Sequence, residues 1–529
     1  MSRRRVTPWD RLTPPAEDAA VLAVPPLEEW GRLVDENRRS RTRRQGEILG
    51  RPWSAWTEDP GRRPPVIMTG HQPGFIHPGV WIKAVGIDLV AARLGGRADF
   101  VIADTDAADD LALAIPLLNG ARLDILTSRP LGMEAGVPYQ RLPAIPPQWW
   151  QDIDRKLQQS RRAGTACSPW EAFTTGYVAG TSDTSLSGDH VRSWTAGLRA
   201  SQAALGLTSP AFSETAAWFS FVAGDEQRPA AALVAHLLLE AGRFASAHNE
   251  AVGAYRARRG LRGRAHPVPD LSVETDRVET PFWIALPTGP RKRLWAGRRR
   301  SDRVELWADA ALVSVLEADA MKRDPPLAIS RSLPPGTAIW PRALTLTMFL
   351  RLFCCDLFVH GVGGAKYDQI TDDLMQRFLG VEPPHYVALS ATLRLPLPRS
   401  GRSAEELKRQ QRRVRDLRFN PQRYLPAGQI AAVADLLSHR AALIAQADEL
   451  RDKWRRARPA RRAVWQEIRE ANRRLAALLA DEEAQTTSEM GEIHKALASD
   501  RLAESREWFF ALHPGDRLRQ LVGALDYQR

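Results

Sequence analysis

With 529 residues the chain is too long for one hydrophobic core, and 44% hydrophobic with 26% charged residues is the composition of folded domains rather than of disorder. A net charge of +12 and a pI near 10.0 point toward phosphates, nucleic acid or anionic metabolites. The charge is spread along the chain without a basic arm, and an arginine-favouring composition explains it equally well, so nucleic acid is a disfavoured partner.

Residues 1–60 are rich in Arg and Pro and read as an extended lead-in, with one helix possible at Leu27–Glu47. No apolar core follows the first arginines, so this is not a secretory signal. Three cysteines, Cys167, Cys354 and Cys355, build no disulfide framework, and a reducing cytoplasm is the expected location. The core begins at Pro65. Val66–Met68 is a short apolar run between punctuating residues, the pattern of a buried strand. A loop, Thr69–Gly79, leads into a helix over Val80–Leu94, closed by Gly95 and Gly96. Asp99–Ala103 is a second strand, which makes a β-loop-α-β unit and predicts a parallel sheet.

From about 140 to 250 the spacing is mostly helical, including Thr215–Ala223 and Ala230–Ala247. Leu261–Trp295 switches to turns and short strands. Ala338–Leu379 returns to α/β character: Leu357–Val359 a strand, Gly361–Gly364 a tight loop, Asp368–Leu379 a helix. The longest apolar run, Ala343–Val359, is broken by Arg351 and Asp356 and is too short for a bilayer, so no membrane partner is expected. Val433, Leu436, Arg440, Leu443, Ala447, Leu450 and Trp454 alternate steps of three and four, as do Val464, Ile468, Ala471, Leu475 and Leu478. Pro459, within the basic stretch Arg455–Arg462, breaks the helix between them. The expectation is an antiparallel coiled-coil hairpin at Ala427–Asp481, with a third helix over Glu483–Leu512. The chain thus divides into a lead-in (1–60), an α/β core with a helical insertion (61–400) and a helical coiled-coil domain (401–529).

Three motifs carry candidate chemistry. In the first loop, Gly70, Gly74 and Gly79 permit close backbone approach before a helix N-terminus, a geometry that suits anions. Thr69, Gln72 and the histidines His71 and His77 add polar groups, and His77-Pro78-Gly79 matches the first three positions of a His-x-Gly-His nucleotidyltransferase signature, with Val80 in place of the last histidine. Asp104 and Asp106 follow the second strand, where carboxylates lie in the ligand crevice of an open sheet and can receive an amine, a hydroxyl or Mg²⁺. The third motif is His360, Gly363, Gly364, Lys366, Tyr367 and Asp368, with the two glycines as a backbone anion nest. A polar region, His248, Asn249, Tyr255, Arg262, Arg264, His266, Asp270 and Glu279, is either a pocket lining or a structural loop satisfied by Arg–Asp pairing. No Cys-x-x-Cys or His-Glu-x-x-His is present, so no metal site is indicated.

Taken in order, these features resemble the bacillithiol synthase family. Thr69–Ala84 (TGHQPGFIHPGVWIKA) is similar to that family's Gly-Gln-Gln-x-Gly-Leu-x-Thr-Gly-Pro segment. Phe100–Asp106 falls at its aromatic strand ending in Glu-Asp-His-Asp, and Trp340–Asp368 at its Arg-Pro…Gly-Pro-x-Glu-x-x-Tyr segment. The resemblance implies a Rossmann-like core with helical decorations, a coiled coil that mediates homodimerisation, and a ligase joining cysteine to a small acid substrate, with ATP or ADP and Mg²⁺ as possible cofactors. His71, His77, Asp104 and Asp106 then become catalytic candidates. The remaining loop and third-motif residues become substrate-binding ones. His71 stands where the family has glutamine, and Lys366 near its glutamate, which implies a different substrate. A non-catalytic nucleotide- or metabolite-binding assembly protein is the alternative.

Overall fold

The computed structural model describes residues 8–526 other than 110, 120–121, 131–135, 161–167, 181–188, 222–227, 264, 301 and 451–457. Cys167, Arg264 and the first part of the basic stretch at 455–462 therefore lie outside the described residues. The chain forms two units, one of Met1–Ile115, Leu126–Leu395 and Arg506–Arg529, the other of Pro116–Ile125 and Pro396–Ser505.

The two large sheets of the first unit take, in chain order, β1 (Ala20–Val24), β2 (Val66–His71), β3 (Arg97–Ile102), β4 (Ala211–Glu214), β5 (Arg277–Ala285), β6 (Lys292–Arg300), β7 (Arg303–Ala308), β8 (Ala311–Glu317), β9 (Ala338–Pro341), β10 (Leu357–His360) and β11 (Tyr386–Thr392). The main sheet has the order β1-β11-β10-β2-β3-β4. Its last five strands run parallel, and β1 is antiparallel at the edge. The lead-in therefore supplies an edge strand, and also the helix α1 (Trp30–Thr42). Every residue of β11 is buried, as expected of a parallel strand covered on both faces.

The parallel unit starts where the hydrophobic pattern put it, with α2 (Pro78–Arg93) joining β2 to β3. Pro78 occupies the first turn of α2, where a missing N–H loses nothing. Residues 81–87 of α2 are all buried, so this helix has no solvent face in its first half. At the amino end of the sheet, the buried Asp356 accepts from Arg63 (2.7 and 3.1 Å), Arg38 (3.1 Å) and the Val66 N–H (2.9 Å), tying the starts of β2 and β10 together.

Three segments differ from the sequence expectation. Leu261–Trp295, expected as turns and short strands, supplies β5 and the start of β6, nine-residue strands of an antiparallel sheet β8-β7-β6-β5-β9. Within Thr215–Ala223 the described residues are helical at Thr215–Trp218, directly after β4, which joins the main sheet. Ala230–Ala247 is two helices, Arg228–Leu239 and Ala241–Arg259, bent by 91°.

The second unit contains α5 (Ala404–Phe419), α6 (Ala434–Glu449), α7 (Arg458–Ala477) and α8 (Ala480–Ala503), numbered after α3 (Ala343–Phe349) and α4 (Val362–Leu374) of the first unit. Ser403 and Glu406 form a capping box at the start of α5. Leu443 and Ala447 of α6 pack with Val464 and Ile468 of α7. Pro459 lies in the first turn of α7, where it is tolerated. The stretch Ala427–Glu449 has the length and mean hydropathy (1.2) of a membrane span by composition alone. Its Arg440 is buried within the unit, donating to Asn472 (2.5 Å) and the Phe419 carbonyl (3.1 Å).

Candidate functional site

The chain leaves β2 toward β3 on one side of the main sheet and leaves β10 toward β11 on the other. Adjacent strands whose connections diverge open a crevice at their carboxyl ends. The first motif, Thr69–Gly79, runs from the end of β2 into the first turn of α2, and His360–Asp368 runs from the end of β10 into the next helix, so both motifs lie at the ends of these two strands.

The first and second motifs are joined directly. Gln72 Nε2 donates to Asp106 Oδ2 at 2.8 Å, and Asp106 Oδ1 accepts from Arg291 at 2.8 Å. Arg291 also donates to the Thr105 carbonyl at 2.7 Å, so the antiparallel sheet closes over the end of β3. The loop itself is pinned: Trp194 donates to the Gly74 carbonyl (2.8 Å), and His190 Nε2 to the Pro73 carbonyl (2.8 Å). Thr69 points into the sheet, its hydroxyl donating to the Val359 carbonyl at 2.7 Å. Gly70 and Gly79 are required by crowding. A Cβ at Gly70 would lie 2.9 Å from the Val101 carbonyl, and one at Gly79 2.6 Å from the Ala391 carbonyl and 2.5 Å from Arg506.

The two histidines differ in what they offer. His77 caps α2: its Nδ1 accepts from the Gly79 N–H at 3.0 Å, which leaves the proton of the neutral ring on Nε2. Burial, then Arg506, His71 and Lys83, pull its pKa down to about 3, so the ring stays neutral. His71 has the opposite tautomer. Its Nδ1 lies 3.1 Å from the Gln72 carbonyl, which can only accept, so Nδ1 carries the proton and Nε2 is an acceptor. Burial and Lys83 lower its pKa to about 4. The sequence reading gave both rings to an anion; only His77 presents a donor.

Asp104 turns away from this loop. It is fully buried, and its Oδ1 accepts from the Ala216 N–H (3.0 Å) at the start of the Thr215–Trp218 turn. Its Oδ2 is buried without a hydrogen bond, and burial raises its pKa to about 8. A carboxyl that is protonated near neutrality serves poorly as a metal ligand or base.

The third motif is helical where a loop was expected. Gly361 caps α4, which begins at Val362, so Gly363 and Gly364 lie in its first turn and form no separate nest. Gly364 makes room for His360, since a Cβ there would lie 2.7 Å from His360 Nδ1. His360 Nε2 contacts Asp368 at 2.9 Å, and Asp368 also accepts from Arg351 (2.6 Å) and Thr347 (2.9 Å). Burial opposes ionisation of Asp368, but Arg351 and His360 outweigh it and hold the carboxyl well below its usual range. Tyr367 is exposed and Gly363 is at the surface, while Lys366 is half-buried. His360 thus stands at the crevice, oriented by a buried ion network.

In the polar region at 248–279, Asn249, Asp270 and Glu279 are structural. Asn249 bonds both the carbonyl and the N–H of Leu271, and Arg256 pairs with Asp270 at 2.6 Å. Glu279 accepts from Arg342 at 2.7 Å. Burial raises the pKa of Cys355 to about 12 and moves Cys354 the same way, so neither is a ready nucleophile.

Two residues beside the first loop were missed. Lys83 of α2 is 4% exposed and donates to the Gly70 carbonyl at 2.9 Å. Arg506 arrives from the far end of the first unit, where Phe510 N–H bonds the Ile76 carbonyl (2.9 Å) and the Phe510 ring stacks on Trp81 (5.6 Å). A lysine in an apolar helix and an arginine distant in sequence carry no local motif. Among the described residues no three His, Cys, Asp or Glu side chains gather as a metal site.

No family model matches the chain, and no curated protein matches it.

Proposed function

We propose that the first unit is a small-molecule enzyme of the bacillithiol-synthase type, a cytoplasmic carbon–nitrogen ligase that joins a cysteine-like amino acid, or another amine, to a small acid. The observation that carries this reading is the Gln72–Asp106 bond, which joins two separate sequence motifs beside the divergent ends of β2 and β10. In this reading the parallel sheet is a Rossmann-like core. His71 Nε2 accepts from the amine, Asp106 orients it through Gln72, and His360 faces the reacting groups from β10. Such catalysis rests on positioning and on stabilising developing charge. ATP or ADP with Mg²⁺ is the proposed activator. The helices α6 and α7 are proposed as an antiparallel coiled-coil hairpin through which two copies pair, with no role for membrane or nucleic acid.

The test incubates the protein with ATP, Mg²⁺ and panels of amino acids and small hydroxy or sugar acids, and follows amide products by mass spectrometry. The expected result is a product whose formation falls at least tenfold in Gln72→Leu. If no pair reacts, the ligase reading fails. A second reading, a non-catalytic metabolite-binding assembly protein, is favoured by Asp104 and Asp368, both already committed to internal bonds. Ligand stabilisation without turnover would select it.

A further inference from the structure

We infer that Lys83, Arg506 and His77 form a receptor for an oxyanion, a carboxylate or phosphate group, at the carboxyl end of β2. The argument starts from Lys83. Its ammonium is buried and makes one hydrogen bond, to the Gly70 carbonyl, which leaves two N–H groups. No carboxylate pairs with it among the described residues. A buried cation without a counter-charge is costly, and natural folds rarely keep one without use. Burial lowers its pKa only to about 8, so it is largely protonated at neutral pH.

Arg506, partly buried, also leaves donors unused. Its Nη2 donates to the Ser390 hydroxyl at 3.3 Å, while Nε and Nη1 are buried and unbonded. Its guanidinium lies against Gly79, whose N–H is bonded by the His77 ring. His77 therefore adds a third donor, Nε2–H, because its Nδ1 is committed to that N–H. Both cations act by charge on the His77 ring, so the three side chains around it offer only donors, and two of them are charged. Of the nearby acidic groups, Asp106 is engaged with Gln72 and Arg291, while the exposed Glu507 acts on Arg506 by charge. A water molecule accepts from such donors but brings no negative charge. An oxyanion does both, as an acceptor with several lone pairs. The inference rests on reading the crevice as a small-molecule site and names the charge of the group it holds.

The test needs no turnover. Thermal unfolding is followed at constant ionic strength as chloride is replaced by inorganic phosphate in one arm and by acetate in the other. The wild type should show saturable stabilisation by at least one of the two, and the arm that saturates identifies the oxyanion. Lys83→Met should be at least as stable as the wild type in chloride, because it removes an uncompensated charge, and should lose the saturable response. Arg506→Lys keeps charge but loses the fork, and its apparent Kd should weaken on the order of tenfold. The inference is overturned if the wild type responds to neither anion, or if Lys83→Met and Arg506→Lys both respond like the wild type. Saturable binding without amide synthesis would sink the ligase reading alone. Amide synthesis without an anion response would sink only this inference.

Discussion

Gln72 and Asp106, 34 positions apart in sequence, meet at 2.8 Å across the carboxyl ends of β2 and β3. Asp106 receives a second donor, Arg291, on its other oxygen. Both partners are donors, so Asp106→Asn can satisfy only one of them. The expected loss is about 1–2 kcal/mol in urea unfolding, with a larger fractional loss of product formation. Equal stability in the two proteins would mean that solvent replaces the pair at no cost.

Asp104 makes stability depend on pH. Its folded pKa is raised from 3.8 to about 8, so the folded state holds the proton more tightly than the unfolded state. The stabilising contribution is complete below pH 4 and is lost as pH rises toward 8. Asp104→Asn keeps an acceptor for the Ala216 N–H and cannot ionise. Between pH 4 and 8 the variant should gain on the wild type, reaching on the order of a few kcal/mol at pH 8. Parallel stability curves in urea titrations at several pH values would refute this.

Arg351 is buried between Asp368 (2.6 Å) and Asp372 (2.7 Å). Arg351→Met leaves Asp368 without its guanidinium and costs about 3–5 kcal/mol. Replacing Arg351 and Asp368 together, by Met and Leu, should recover a large part of that loss in a double-mutant cycle. Additive losses would show that the two side chains do not act on one another.

The proposed homodimer makes a prediction about the second unit. Trp465 of α7 is 48% exposed, a large apolar side chain on a helix otherwise rich in charge. Light scattering should report a dimer for the wild type and a monomer for Trp465→Glu. A monomeric wild type would remove the coiled coil from consideration as a contact.

The β2–α2–β3 unit was legible because its signals are local: a prolyl and glycyl frame, a buried run, and apolar spacing that survives from Val80 to Leu94. The parallel sheet followed from that unit. The antiparallel sheet was not legible, since the glycines and prolines around β5 and β6 read as turns while the alternation in Val304, Leu306 and Ala308 was passed over. The third motif misled for a related reason. Gly363 and Gly364 suggested a loop, but Gly361 caps the helix and Gly364 is small so that His360 can lie over it. At the first loop, residue types were readable and directions were not. Which nitrogen of His71 or His77 carries a proton depends on a backbone partner only the fold supplies. Lys83 sat among Ile82, Val85 and Leu89 with no spacing cue that its charge was turned inward.

Phe510 and Trp81 stack at 5.6 Å, and the Phe510 N–H bonds the Ile76 carbonyl. Residues 506–529 belong to the first unit although residues 396–505 of the second precede them. The order of synthesis follows from this. On the ribosome the loop Thr69–Gly79 waits, without its aromatic neighbour and without Arg506, until the whole second unit has emerged. A chain stopped at Ser505 would contain every strand of the main sheet and still lack one of the loop's donors. Completion of the crevice is therefore a late event in the birth of the protein, timed by the passage of an entire helical unit.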